Sequence, residues 1–171
     1  FDNSDNELLM GLAGNINKVT YGTNSQADVQ GRLISANPYL SLEWNCHKID
    51  TQLVGDYNFE NALAAICVGL YFKVDENDIV EALQGYCPTN NRSQVVQTAK
   101  NRVVMDAYNA NPTSMEHSVR NFRNICKDNN LLILGDMREL GDESQKEHAA
   151  IVKLLQELKF KNVYLVGEEF A

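Results

Sequence analysis

One short polar turn contains the residues of this sequence that are best suited to chemistry. The run reads Asp106-Ala107-Tyr108-Asn109-Ala110-Asn111-Pro112-Thr113-Ser114-Met115. It follows the apolar residues 103–105 and precedes a segment with helical periodicity, so it lies where a strand ends and a helix begins. Open α/β sheets hold their ligand sites at such turns. The sequence therefore predicts that this turn binds a ligand.

The polar side chains of the turn have different explanations. Asp106 comes at the carboxyl end of a strand, where a carboxylate commonly accepts hydrogen bonds from ribose hydroxyls. Asn111 before Pro112 also fits a helix start, with the amide as cap and proline at the first helical position. For Tyr108 and Asn109 the turn supplies no structural role, and both a structural and a ligand-binding explanation stay open.

The helix predicted after this turn has a second possible N-terminus. Thr113 and Glu116 have the spacing of a capping box two residues further along.

A second turn follows the next apolar strand. Residues 135–141 read Gly-Asp-Met-Arg-Glu-Leu-Gly, and they are predicted at the same sheet edge as the first turn. With Asp136 and Glu139 as polar groups, they could hold a charged or peptidic substrate against it. The glycines could equally serve the turn geometry alone. His148, in the following helix, could face this edge, although a lone histidine is more often structural.

Two further groups could contact a nucleotide. Asn58 and Asn61 are three residues apart at a predicted helix start, so they share a face and offer the donors and acceptors that read a purine edge. Spacing alone favours the alternative that Asn58 caps the helix and Asn61 is exposed. Arg92, in a turn-rich segment, could clamp a phosphate or be an ordinary solvated arginine.

The elements that must position these residues form two regions. In the first, we predict a helix over 4–13, strands at 18–21, 27–35, 39–44 and 51–54, and helices from residue 59 and over 76–83. In the second, strand 101–106, helix 113–127, strand 131–134, helix 144–159 and strand 162–166 predict a parallel α/β sheet. Turn formers at 85–91 place a domain boundary there, giving domains 1–87 and 88–171.

The sheet of the second region leads to two expectations. Residues 131–134 are apolar throughout, which predicts a strand buried on both faces. A sheet that ends after its third strand has an open edge, so the chain could dimerise through it.

Composition excludes several classes of protein. The chain has 171 residues, is 44% hydrophobic and carries a net charge of −8, which argues against a nucleic-acid or anionic-membrane surface. No apolar run approaches the roughly 20 residues that span a bilayer, and no leader resembles a signal peptide. The scattered Cys46, Cys67, Cys87 and Cys126 predict buried or half-buried reduced thiols in a cytoplasmic protein, rather than a zinc site or disulfide framework.

Nucleotide binding would need help from other sequence. No glycine is followed by lysine, so the phosphate loop G-x-x-x-x-G-K-[ST] is missing, as is G-x-G-x-x-G. The phosphates of any nucleotide would be held mainly by residues outside this stretch.

Several motifs together resemble the Mur ligase family over the whole chain. They are Gly55-Asp56-Tyr57-Asn58-Phe59-Glu60-Asn61, then Asn91-Arg92-Ser93, the Asn-Ala-Asn-Pro turn, and the Gly-Asp-Met-x-Glu-Leu-Gly turn with His148. The last two resemble in particular the members that add D-alanyl-D-alanine to UDP-N-acetylmuramoyl-tripeptide. The resemblance implies the end of a central ATPase-type α/β domain, followed by the first part of a Rossmann-like βαβαβ domain with a parallel sheet.

The resemblance also implies residue roles. Asn58 and Asn61 would contact adenine, Arg92 the phosphates and Asp106 the ribose of ATP, which is used with Mg²⁺. The dipeptide would lie near Tyr108, Asn109, Asn111, Asp136 and Glu139. The phosphate loop, magnesium ligands and catalytic residues would precede Phe1, so we expect no catalytic residue or metal ligand here and no activity of this piece alone. The alternatives are another Mur-type or folylpolyglutamate ligase, and a non-catalytic nucleotide-binding module.

Overall fold

The computed structural model describes residues 1–170, and the chain divides into two compact units. The first comprises Phe1–Thr89 with Ser93–Val95, and the second comprises Asn90–Arg92 with the chain from Val96 onward. Each unit has its own apolar core.

The first unit contains a mixed sheet and three helices. Its strands are β1 (Asp2–Asn3), β2 (Thr20–Gly22), β3 (Val29–Ala36), β4 (Leu40–Trp44) and β5 (His47–Asp50). Its helices are α1 (Glu7–Leu12), α2 (Asn58–Tyr71) and α3 (Glu76–Gly85). The sheet order is β1-β2-β3-β4-β5. The first three strands run parallel, and β3, β4 and β5 pair antiparallel.

Helix α2 provides most of the helical side of the first core. Ala62, Leu63, Ile66 and Cys67 are buried at spacings of three and four residues, which puts them on one face. Leu40 and Leu42 of β4 are fully buried, as their alternation predicts. Gly31 of β3 allows close approach, because a Cβ there would overlap the Leu63 side chain.

A carboxylate fastens β2 to the start of β3. The backbone N–H and the hydroxyl of Thr20 donate to Asp28 Oδ2 over 2.8 and 2.9 Å. These hydrogen bonds, above all the one from the backbone, hold the pKa of Asp28 below its ordinary value because they favour the ionised form.

Two predictions for the first unit are wrong in position. Helix α1 is shorter than residues 4–13, because Asn6 rather than Ser4 or Asp5 caps it by accepting from Leu9 N. The strand predicted at 51–54 lies one segment earlier, at β5. There the register with β4 pairs Ile49 with Leu42, so that both enter the core.

Helix α3 begins after its predicted cap, Asp75, whose side chain accepts from Asn77 N.

The second unit contains the predicted alternation of strands and helices. The elements are β7 (Arg102–Met105), α4 (Pro112–Ile125), β8 (Leu132–Gly135), α5 (Ser144–Glu157) and β9 (Val163–Val166), with a 3₁₀ turn at Gly141–Glu143. A strand that the sequence did not predict, β6 (Gln94–Gln97), precedes them, and its first two residues belong to the first unit.

The pairing of these strands differs in part from the prediction. β8 and β9 are parallel, with Leu132 opposite Val163 and Gly135 opposite Val166. β7 hydrogen-bonds to β6 in a separate two-stranded sheet. Residues 98–101 turn sharply enough for the preceding segment to reach β7, with Thr98 N donating to Asn101 O over 2.8 Å.

Strand β8 is buried on one face only, so the prediction of two buried faces is wrong. Leu132 is 5% exposed and packs with α4 and α5, whereas Ile133 is 67% exposed. Apolar composition cannot distinguish these cases, because period-2 alternation is invisible when every side chain is aliphatic.

The cysteines are free, as predicted. Cys67 is buried and Cys126 partly so, but Cys46 and Cys87 are exposed, which corrects the expectation for those two. Within residues 1–170, no helix has the length and apolar character needed to cross a membrane.

Candidate functional site

A cleft of about 330 Å³ in the second unit lies between the two turns that the sequence singles out. The turn after β7 contributes Asp106 and Asn109, and the turn after β8 contributes Asp136 and Arg138. Helix α4, β8 and the adjoining backbone complete the lining with Ala107, Ala110, Ser114, Met115, Ser118, Val119, Ile133, Leu134 and Gly135. The two turns thus line one cleft, although they follow strands of two separate sheets and not one edge of a single sheet as predicted.

The first turn is shaped by the cap of α4. Asn111 Oδ1 accepts from Ser114 N over 2.8 Å, and Ser114 Oγ accepts from Asn111 N over 3.1 Å. Pro112 follows in the first turn. This reciprocal capping box replaces the one predicted between Thr113 and Glu116, because Asn111 takes the extended conformation that a cap requires. Asn111 therefore has a structural role and lies outside the cleft lining.

The neighbours of Asn111 present different groups. Asn109 is exposed, and its Oδ1 accepts from Ala110 N over 2.9 Å, which leaves the amide NH₂ available to the cleft that it lines. Tyr108 is 64% exposed and lies outside the lining.

Arg92 lies against the first turn. Its guanidinium carbon is 3.7 Å from the centroid of the Tyr108 ring, a cation–π contact. The preceding residue is joined to the turn as well, because Ala107 N donates to Asn91 O over 2.7 Å. A stacked guanidinium keeps its N–H edge free for an anion. The structure therefore gives Arg92 a fixed place beside the turn that ends in Asp106.

The second turn is fixed by a buried histidine. His148 of α5 is 2% exposed, and its Nε2 accepts from Met137 N over 3.0 Å. Since Nε2 accepts, the neutral imidazole carries its proton on Nδ1, which donates to Ser144 O over 2.7 Å. Met137 itself is buried in the second core. His148 thus holds the backbone of the second turn through a hydrogen bond from α5, which is the structural role considered for it.

Asp136 joins this turn to the end of β9. Its Oδ2 accepts from Glu169 N over 3.2 Å, and a Cβ on Gly167 would overlap its carboxyl group, so Gly167 must be glycine. Its Oδ1 is 3.9 Å from His148 Nε2. This contact is not an ion pair, because Nε2 already accepts from Met137 and the imidazole is neutral.

The remaining acidic candidate points elsewhere. Glu139 is exposed, has a φ of +66° and lies outside the cleft lining. Within residues 1–170, no group of three or more histidine, cysteine or acidic side chains could hold a metal ion. Among these residues, therefore, no cluster of side chains supplies three protein ligands to a magnesium ion.

Arg138 is the cleft residue that the sequence reasoning passed over. It is the cationic side chain of a lining whose other charges are the carboxylates of Asp106 and Asp136. The available signal was a basic residue in a glycine-bounded turn at the end of a strand. Ser114 and Ser118 were also missed, although their spacing of four residues places both on one face of α4.

The asparagine pair lies in the first unit, at the start of α2. Asn58 is 8% exposed and its Nδ2 donates to Val54 O over 2.7 Å. Its Oδ1 accepts from Asn61 Nδ2 over 3.1 Å. The expectation that Asn58 caps α2 is wrong, because Tyr57 occupies the cap position. Asn61 is exposed, as that alternative expected. The hydroxyl group of Tyr57 forms a hydrogen bond with Ser93 Oγ.

Comparison with known families identifies both units. The Mur ligase middle domain matches residues 2–69, and the Mur ligase glutamate ligase domain matches residues 91–171. The chain belongs to the Mur ligase family. Its two motif turns thus lie in the second of two Mur ligase domains.

Individual Mur ligases are similar over nearly the whole chain. UDP-N-acetylmuramoyl-tripeptide–D-alanyl-D-alanine ligase of Bacillus subtilis is 29% identical over 167 residues, which are 95% of this chain and 36% of that protein. A crystal structure of MurF from Acinetobacter baumannii matches with a TM-score of 0.79 and 25% identity, over 98% of this chain and 38% of that one.

A third relative was solved with a nucleotide. MurF ligase from Thermotoga maritima, in complex with ADP, has a TM-score of 0.70 at 20% identity and shares the fold over 90% of this chain and 36% of its own. The chain thus spans little more than a third of the Mur ligases that it matches.

Proposed function

We propose that the full-length protein containing this chain is an ATP-dependent amide ligase that adds D-alanyl-D-alanine to UDP-N-acetylmuramoyl-tripeptide. The observation that supports this most is the cleft, since the Asn-Ala-Asn-Pro turn and the Gly-Asp-Met turn line it together. The B. subtilis relative carries that activity in its name. The ADP complex of the T. maritima relative supports ATP as the energy source.

The proposed reaction has two steps. The γ-phosphoryl group of ATP passes to the tripeptide carboxylate, which gives an acyl phosphate and ADP. The dipeptide amine then attacks the acyl carbon. A C–N bond forms, the C–O bond to phosphate breaks, phosphate leaves and the amine nitrogen loses a proton. The overall products are the amide, ADP and phosphate.

The nucleotide roles proposed for this chain are binding roles. Asn58 and Asn61 contact adenine, Arg92 a phosphate and Asp106 the ribose. The stacking of Arg92 on Tyr108 supports its role, because the guanidinium is held in place with its donors exposed. The magnesium that would accompany ATP needs ligands from elsewhere in the full-length protein.

For the dipeptide, the residues that line the cleft carry the proposal. Asn109 offers an amide donor and Asp136 a carboxylate. Tyr108, Asn111 and Glu139 lie in the same two turns and are further candidates for contact with the dipeptide. ATP as substrate and the free cysteines fit a cytoplasmic location.

The experiment is a phosphate-release assay on the full-length ligase. Phosphate should be released from ATP only when both the UDP-linked tripeptide and D-alanyl-D-alanine are present. Release that is indifferent to the dipeptide would contradict the proposal. Preference for a single amino acid as the amine would indicate another Mur-type ligase. If no phosphate is released with any amine, the protein is a binding module.

A further inference from the structure

The cleft between the two turns contains one cationic group among its lining residues, the guanidinium of Arg138. Arg138 forms no ion pair or hydrogen bond with any other residue in the described part of the chain, residues 1–170. Asp136 lines the same cleft, and its carboxyl group accepts from Glu169 N and lies 3.9 Å from His148 Nε2, not at Arg138. An arginine left unpaired beside two carboxylates is available to an external anion.

The backbone that carries Arg138 is held on both sides. Before it, Met137 is 1% exposed and its N–H donates to the buried His148, while Asp136 N donates to Val166 O over 3.1 Å. After it, Leu140 packs against the second core. A side chain on a fixed turn loses less freedom when it binds a ligand than one on a mobile loop.

We propose that Arg138 binds the carboxylate of the incoming amine substrate and so sets its orientation in the cleft. This inference rests on the proposed function, because the dipeptide then supplies an amine at one end and a carboxylate at the other. Among the charged side chains of the lining, the guanidinium attracts that carboxylate, whereas the carboxylate of Asp136 repels it. Arginine matches the two oxygens of a carboxylate with two parallel N–H donors.

The orientation that follows suits the chemistry. With its carboxylate at the second turn, the dipeptide extends its amino end across the cleft towards the first turn. That turn carries Asp106, for which we propose a contact with the ribose of ATP. The nucleophilic nitrogen is therefore at the nucleotide side, and the end that does not react is at Arg138.

The lining also explains why the contact would select dipeptides of small residues. Met115, Val119, Ile133 and Leu134 give the cleft an apolar surface, which suits methyl side chains between the two charged ends. A volume of about 330 Å³ is at the lower end of the range for ligand pockets.

The test compares two amine substrates with the full-length ligase. D-alanyl-D-alanine is assayed against its C-terminal amide, which keeps the nucleophile and both methyl groups but has no negative charge. For the unmodified enzyme, kcat/KM for the acid should exceed that for the amide by roughly 10- to 100-fold, the range for a charge-assisted hydrogen-bonded contact.

The variant Arg138→Gln should remove this preference. Its KM for D-alanyl-D-alanine should rise by roughly 10- to 100-fold, while its kcat/KM for the amide and its KM for ATP stay within about twofold. Arg138→Lys should keep part of the preference, since it retains the charge without the planar fork. Arg120→Gln is the matched control, because Arg120 is exposed on α4 and pairs with Glu116.

Each outcome decides between the two proposals. If Arg138→Gln still prefers the acid as strongly as the unmodified enzyme, or if the unmodified enzyme does not prefer it, Arg138 is not the carboxylate contact, although the ligase activity stands. If phosphate release does not depend on the dipeptide at all, the proposed function and this inference both fall. A purely structural role for Arg138 would change both substrates equally.

Discussion

At the scale of single residues, some polar side chains near the cleft line it, whereas others stabilise the backbone around it. Asp106, Asn109, Asp136 and Arg138 line it. Asn111 caps a helix and His148 accepts a buried backbone N–H. All of them are polar residues, so residue type alone does not distinguish the two groups. The sorting comes from their hydrogen-bond partners.

Asp106 provides a test of nucleotide binding at this scale. Asp106→Ala in the full-length ligase should weaken ATP binding by roughly 1–3 kcal/mol, because a hydrogen-bond acceptor for the ribose is lost. Calorimetric titration with ATP measures the change. Asp142→Ala is the control, since Asp142 is an exposed carboxylate in the 3₁₀ turn, away from the cleft lining. An unchanged ATP affinity for Asp106→Ala would rule out the ribose role.

At the scale of elements, helix α4 forms one wall of the cleft and its start is set by local sequence. Asn111, Pro112 and Ser114 together give a capping box with proline at the first position. Four side chains of α4 then face the cleft at helical spacing, namely Ser114, Met115, Ser118 and Val119. A shift of the helix start by one residue would rotate all of them away by about 100°.

The cap makes a prediction for stability. Asn111→Ala should lower the free energy of unfolding by about 1 kcal/mol, because Ser114 N loses its acceptor. Denaturant unfolding followed by circular dichroism measures this. Asn124→Ala, an exposed site in the last turn of the same helix, should change stability by less than about 0.5 kcal/mol. Equal effects of the two substitutions would show that the cap contributes nothing.

At the scale of the whole molecule, the chain has two separate cores, one in each unit. The core of the first unit contains Cys67, which is 0% exposed. Burial raises the pKa of the Cys67 thiol, chiefly because a thiolate would lose its hydration there. Cys46 and Cys87, by contrast, are exposed.

Thiol labelling of the native protein should reflect this difference. Cys46 and Cys87 should react with a thiolate-specific reagent at least about tenfold faster than Cys67, since the reagent needs both access and an ionised thiol. Mass spectrometry of the labelled peptides measures each rate. In denaturant the rates should converge, and Cys46→Ser should remove one fast site without changing Cys67. Fast native labelling of Cys67 would contradict the core described for the first unit.

The fold followed from the sequence where local signals are strong. Apolar periodicity located helices α2, α3, α4 and α5, and the polar turns after β7 and β8 gave the position of the cleft. The predicted positions of strands were wrong where the sequence pattern is weak or occurs in neighbouring segments as well. A strand was predicted at residues 51–54, but the preceding segment, β5, has the register that buries Ile49 against β4. β6 has no distinct pattern of its own.

The sequence alone determined the type and order of most elements and the two polar turns that line the cleft, and it gave Asn111 as one of two candidate caps for α4. These depend on residues within a few positions of one another. Only the tertiary structure decided that β7 pairs with β6, that β8 buries a single face, that His148 accepts from Met137 N and that Arg138 lines the cleft. The physical reason is that pairing, burial and ion-pair partners come from residues distant in sequence, whose positions are fixed when the chain packs.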